Sequence, residues 1–104
     1  KALLGTYQGE VFNGTDMDSV ITSFRVDRDG RLAGDYVIGD ESGLVSGQLS
    51  DIVAESQYTY AMTWRDTYGE GTLRILFSEN YHFFYGYWGN QETYATYPWH
   101  GSKE

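Results

Sequence analysis

Cysteine is absent from the 104 residues, and proline occurs once. Without thiols there is no disulfide, no thiolate metal site and no cysteine nucleophile. Positive charge is also scarce: 7 Lys and Arg stand against 15 Asp and Glu, a net charge of −8. The basic residues are scattered, so nothing offsets repulsion of phosphate backbones and anionic lipid surfaces, and nucleic acid is not an expected partner. Apolar runs are short, and none approaches the roughly 20 residues of a membrane-spanning helix. Helical periodicity is hard to find, and no linker or low-complexity tract divides the chain. Residues 1–104 therefore read as one domain with one core. The chain opens on Lys1 rather than Met, which suggests an upstream segment (a signal peptide, a lipoprotein leader or another domain) and favours an extracytoplasmic location.

Aromatic residues and glycine are plentiful: 10 Tyr, 5 Phe, 3 Trp and 13 Gly. Rings suit a pleated, half-buried surface, and glycines suit tight turns. Alternation of apolar with polar residues recurs along the whole chain. In QYTYAMTWRD, Tyr58, Tyr60, Met62 and Trp64 share one face. GTLRILFS turns Leu73, Ile75 and Phe77 inward, and the YGEG between the two runs makes them a hairpin. Upstream, Val20, Thr22, Phe24 and Val26 form one row, Leu32, Gly34 and Tyr36 the next, and Val45, Gly47 and Leu49 a third. DIVAES (51–56) reads either as a strand extension or as a single helical turn. With the opening LLGTYQGEVF, the YHFFYGYW run and a last strand near 97–103, about eight strands are expected, every connection short. Neighbours then pair antiparallel in sequence order, an up-and-down meander. Such a sheet tends to close into a barrel because closure removes its edges, and Gly34, Gly47 and Gly86 allow the bending.

The glycines and aromatics fall into a series: G-x-L-x-G-x-Y at 30–36, G-x-L at 47–49 and W-x-D at 64–66. G-x-G-x-L follows at 69–73, F-x-G-x-W at 84–88 and W-x-G-x-K at 99–103. Across nearly the whole chain this series resembles the small avidin-like and lipocalin-like barrels of the calycin group, and related bacterial barrel domains of unassigned function. The resemblance implies an eight-stranded up-and-down barrel whose interior holds a small apolar or ring-bearing ligand. It does not bring biotin or retinoid binding with it. No matching polar set for biotin is present, and Tyr7 stands where lipocalins carry the Trp of Gly-x-Trp.

Most chemical motifs reduce to turns. Asp27-Arg28-Asp29-Gly30 resembles the start of a calcium loop, but its fifth position is Arg31 and its twelfth Ile38, so a hairpin turn is expected. Asn13-Gly14-Thr15 fits a glycosylation acceptor and equally a tight turn. His82 and His100 have no ligand spacing, so no metal site is expected, and no glycine motif carries the lysine of a phosphate loop. No cofactor follows. Asp66 shares the inward face of Trp64 and could act as an acid or base if buried, or could cap a turn or pair with Arg65 or Arg74.

Three functional readings remain. The first is a non-enzymatic carrier of a small apolar or aromatic ligand inside the barrel, on Tyr58, Tyr60, Trp64, Phe84 and Trp88. The second is an interaction or assembly module, including a homodimer, built on an outer ridge of Phe83, Tyr85 and Tyr87. These three alternate with the inward Phe84 and Trp88, so either a partner or the chain's own end (Tyr94, Tyr97, Trp99) must cover them. The third is a small enzyme working through a carboxylate at the barrel end.

Overall fold

A period of two gives each segment one face to bury, and eight segments do so in the structure, a computed structural model describing residues 2–40, 43–90 and 96–104. The strands are β1 (Gly5–Phe12), β2 (Met17–Val26), β3 (Leu32–Asp40), β4 (Gly43–Ala54), β5 (Thr59–Asp66), β6 (Gly69–Phe77), β7 (Phe83–Asn90) and β8 (Tyr97–Lys103). Each pairs antiparallel with the next, and β1 pairs with β8 (Gly9 opposite Gly101), so the sheet closes into a barrel. No helix occurs among the described residues, and none is therefore long and apolar enough to cross a membrane. Most of the 51–56 segment is strand: β4 continues through Ala54 after a bulge between Ser50 and Val53, where Asp51 takes φ +53°, and Glu55 and Ser56 begin the turn that follows.

The expected inward rows are buried: Val20, Thr22 and Phe24 on β2, Tyr60, Met62 and Trp64 on β5, and Leu73, Ile75 and Phe77 on β6. Val26 differs. It is exposed at the last rung of the β2–β3 hairpin, where the wall has run past the core.

In a meander, the ends of odd-numbered strands and the starts of even-numbered strands share one end of the barrel. The opposite end is solid. There Tyr7, Phe24, Phe77 and Phe84 lie mutually within 6.3 Å, mostly edge to face, the arrangement ring quadrupoles favour. Leu3 is buried against this cluster, and the Tyr7 hydroxyl donates to the carbonyls of Leu3 (2.9 Å) and Tyr81 (3.1 Å). Gly47 matters for a close approach: a Cβ there would overlap the Tyr36 ring, which lies against β4 in the space a side chain would take.

Two substitutions in β7 read out the strand phase. Phe84→Ala should cost about 3–5 kcal/mol in urea unfolding, the range for truncating a core ring. Its neighbour Tyr85→Ser should stay within about 0.5 kcal/mol, as an exposed position does. Equal costs would mean the strand is phased differently.

Candidate functional site

The ends of β1, β3, β5 and β7 and the starts of β2, β4 and β8 surround a cavity of about 270 Å³, open at the end opposite the ring cluster. Every tryptophan of the chain, Trp64, Trp88 and Trp99, lines it, with Tyr36 completing the aromatic wall. Aliphatic surface comes from Val11, Ile38 and Val45. The rim carries Phe12, Asn13, Asp18, Asp66 and the exposed Tyr68.

Each indole is fixed by its single N–H. Trp64 Nε1 donates to Gly89 O (2.9 Å), Trp88 Nε1 to Phe12 O (2.8 Å), and Trp99 Nε1 to Thr22 Oγ1 (3.0 Å). In each case the acceptor lies two strands away around the barrel: β5 to β7, β7 to β1, and β8 to β2. The rings are thus tied to the wall. Trp64 meets Trp88 edge to face at 5.5 Å, and Trp99 meets Tyr36 at 4.8 Å.

Tyr36 and Asp66 form an inward-lying polar pair that carries a charge. The Tyr36 hydroxyl donates to Asp66 Oδ2 at 2.7 Å, and Asp66 Oδ1 accepts the backbone N–H of Tyr68 at 2.8 Å. Asp66 therefore caps its turn, while Arg65 and Arg74 pair elsewhere, with Glu70 (3.4 Å) and Glu55 (3.1 Å). Burial, then the hydrogen bond from Tyr36 to Asp66, push the Tyr36 phenol well above its ordinary 10.0. Across the rim, Asn13 Oδ1 accepts the N–H groups of Thr15 and Asp16 in the β1–β2 turn. Its Nδ2 donates to Asp18 Oδ2 at 2.8 Å. The Asp27 turn closes likewise, Asp27 Oδ1 accepting from the backbone of Asp29 and Arg31. Among the described residues, no group of three or more His, Asp or Glu gathers to hold a metal.

Of the residues expected to line a ligand site, Trp64 and Trp88 border this cavity. Tyr58, Tyr60 and Phe84 do not. Tyr60 and Phe84 pack in the solid end against Phe77, and Tyr58 rests on Tyr81 at 5.5 Å. The reason is strand direction: Tyr60 and Phe84 stand near the starts of β5 and β7, and Tyr58 just precedes β5, all at the closed end. Trp99, Tyr36 and the rim carboxylates took no part in the expected ligand set. Counting hairpins would have found them, since alternate turns lie at the same end of a meander.

The outer ridge stands in the open. Phe83, Tyr85 and Tyr87 are 42%, 58% and 51% exposed, with Leu76 beside them at 52%. Trp99 faces the interior and Tyr97 packs on Trp88 (4.9 Å) and Phe12 (5.7 Å), so neither covers the ridge. Tyr94 lies outside the described residues.

Stability at alkaline pH should report the buried phenols. Burial pushes Tyr7 up to about 12, with Tyr81 adding to it, and raises Tyr60 as well. In the unfolded chain these groups ionise near 10.0, so the unfolded state sheds protons first. The phenols' contribution should be complete below pH 10 and decline as pH climbs through 12, lowering Tm over that interval, less steeply in Tyr36→Phe. A Tm unchanged from pH 9 to 12 would contradict this. Comparison of the chain with family models, with curated proteins and with solved structures returned no match.

Proposed function

We propose that this domain is a non-enzymatic carrier that holds one small ligand in the cavity at its open end. The observation behind this reading is the division of the interior: rings fill one end, and about 270 Å³ stays open at the other. Small-molecule sites run from roughly 300 to 1,000 Å³ and combine apolar walls with a few placed polar groups. A volume just under that range fits a single ring bearing a few further atoms. An eight-stranded barrel is about the size that holds one such ligand, and the resemblance to avidin-like and lipocalin-like barrels supports the same reading.

The three indole N–H groups make a direct assay. A ligand in the cavity should shift all three Nε1–H resonances when single-ring compounds are titrated in. Val45→Trp, which adds bulk to the cavity wall, should leave the domain folded and abolish those shifts. Binding that survives in Val45→Trp would place the ligand elsewhere and end the carrier reading.

A second reading rests on the exposed ridge: self-association through the outer face of β6, β7 and β8. From Thr72 to Leu76 on β6, and along the outward positions of β7 and β8, no described residue is a carboxylate. On a chain of net charge −8 this is a face on which two copies approach with little repulsion. A shallow groove of about 200 Å³ runs along it between Phe83, Tyr85 and His100. Sedimentation should show wild-type dimers at high concentration and monomers for Phe83→Ser/Tyr85→Ser, with Tm nearly unchanged. A double variant that unfolds outright would instead assign the ridge to the protein's own stability.

A further inference from the structure

We propose that the open-end cavity selects organic cations, specifically an ammonium group carried on a body the size of one ring; this rests on the reading of the cavity as a ligand site.

The sign of charge at the site carries the inference. Among the described residues lining the cavity there is no Lys, Arg or His, and the only charged groups are Asp18 and Asp66. An anionic ligand would meet two carboxylates and no counter-charge. The net charge of −8 extends the same field beyond the rim and raises the local concentration of cations.

Hydrogen-bonding capacity points the same way. All three indole N–H groups donate to the barrel wall, and the Tyr36 hydroxyl donates to Asp66, so the inner surface offers a ligand no free donor. The donors left are at the rim: one amide hydrogen of Asn13 and the exposed Tyr68 hydroxyl. Acceptors are in surplus. Each carboxylate oxygen has two lone pairs, and each oxygen of Asp66 has used one. Asp18 receives Asn13 on Oδ2 and leaves Oδ1 without a partner among the described residues. A surface rich in acceptors and poor in donors complements a ligand that donates or carries positive charge.

The walls complete the match. Indole is the ring that attracts cations most strongly through its quadrupole, and cages of aromatic side chains recognise quaternary ammonium groups. Trp64, Trp88, Trp99 and Tyr36 enclose the same space that the carboxylates face. A neutral hydrocarbon of equal size would gain the apolar contact but would strip water from Asp66 without replacing it, which is costly for a charged group. A cation loses less on entry because both the rings and the carboxylates take over from water.

Phenyltrimethylammonium and tert-butylbenzene have the same shape and differ in charge alone, so the pair isolates the effect. Titrated against the intact domain and followed by tryptophan fluorescence and the indole resonances, the cation should bind at least tenfold more tightly. The gap should narrow at high salt. Asp66→Asn should weaken the cation about tenfold and tighten the hydrocarbon, because the charge that a hydrocarbon strips of water is gone. Asp18→Asn at the rim, which leaves the Tyr36–Asp66 bond intact, should weaken the cation several-fold and serves if Asp66→Asn fails to fold. Equal or tighter binding of tert-butylbenzene would overturn the cation preference while leaving the carrier reading standing. If neither compound perturbs the indoles, the carrier reading falls with it.

Discussion

An eight-stranded barrel encloses a fixed and narrow interior, so whether this one is solid or hollow depends on where its rings are held. At the closed end, Tyr7, Phe24, Phe77 and Phe84 project to the axis and interlock. At the open end, three larger rings are present, yet the centre is empty. Hydrogen bonding accounts for the difference. The phenyl rings of Phe24, Phe77 and Phe84 have no polar atom to hold them to the wall, and the Tyr7 hydroxyl is held by Leu3 and Tyr81, which lie outside the strands. A buried indole N–H, in contrast, must find an acceptor. Here each finds one on the wall itself, two strands away. The indoles therefore line the barrel instead of plugging it, and the cavity follows from that choice of residue.

The same pairing rule explains the polar chemistry at the open end. Asp66 sits where β5 runs into its turn, with one oxygen capping that turn and the other receiving Tyr36, which reaches over β4 from β3. The contact exists because Gly47 lets the Tyr36 ring lie against β4. A glycine in one strand, a phenol in the next and a carboxylate at a turn thus form a single device. It places negative charge at a partly buried position beside aromatic walls. No buried side-chain polar atom among the described residues lacks a partner, so the charge is held without an orphaned group around it.

Much of this was legible in the sequence. The eight strands, their antiparallel order and closure followed from alternation and turn residues, and the inward phase held on β2, β5 and β6. What the phase could not give was depth along the barrel. Tyr60 and Trp64 lie on the same face of one strand, yet the first belongs to the packed end and the second to the cavity. Period two reports which side of the sheet a residue faces and nothing about which rung it occupies. The contacts that decide rung chemistry, such as Trp99 with Thr22 across 77 positions, leave no local signature. The 51–56 segment was ambiguous for a different reason. A bulge breaks the alternation, and a strand with one residue out of step looks like a helical turn.

The pairing of β1 with β8 has a consequence for the order of events in time. Residues of β8 supply half of two ladders, and Trp99 fills part of the interior from that strand. Until residues 97–103 leave the ribosome, β1 and β7 are unpaired edges and the core is open along one side. The strand that meets β1 is the last of the eight to be synthesised, so closure waits for the longest sequence separation in the fold. Such a ring gains little from partial assembly. The nascent domain must pass through a state with two sticky edges before it can hide either one, and its aggregation hazard is concentrated in that interval.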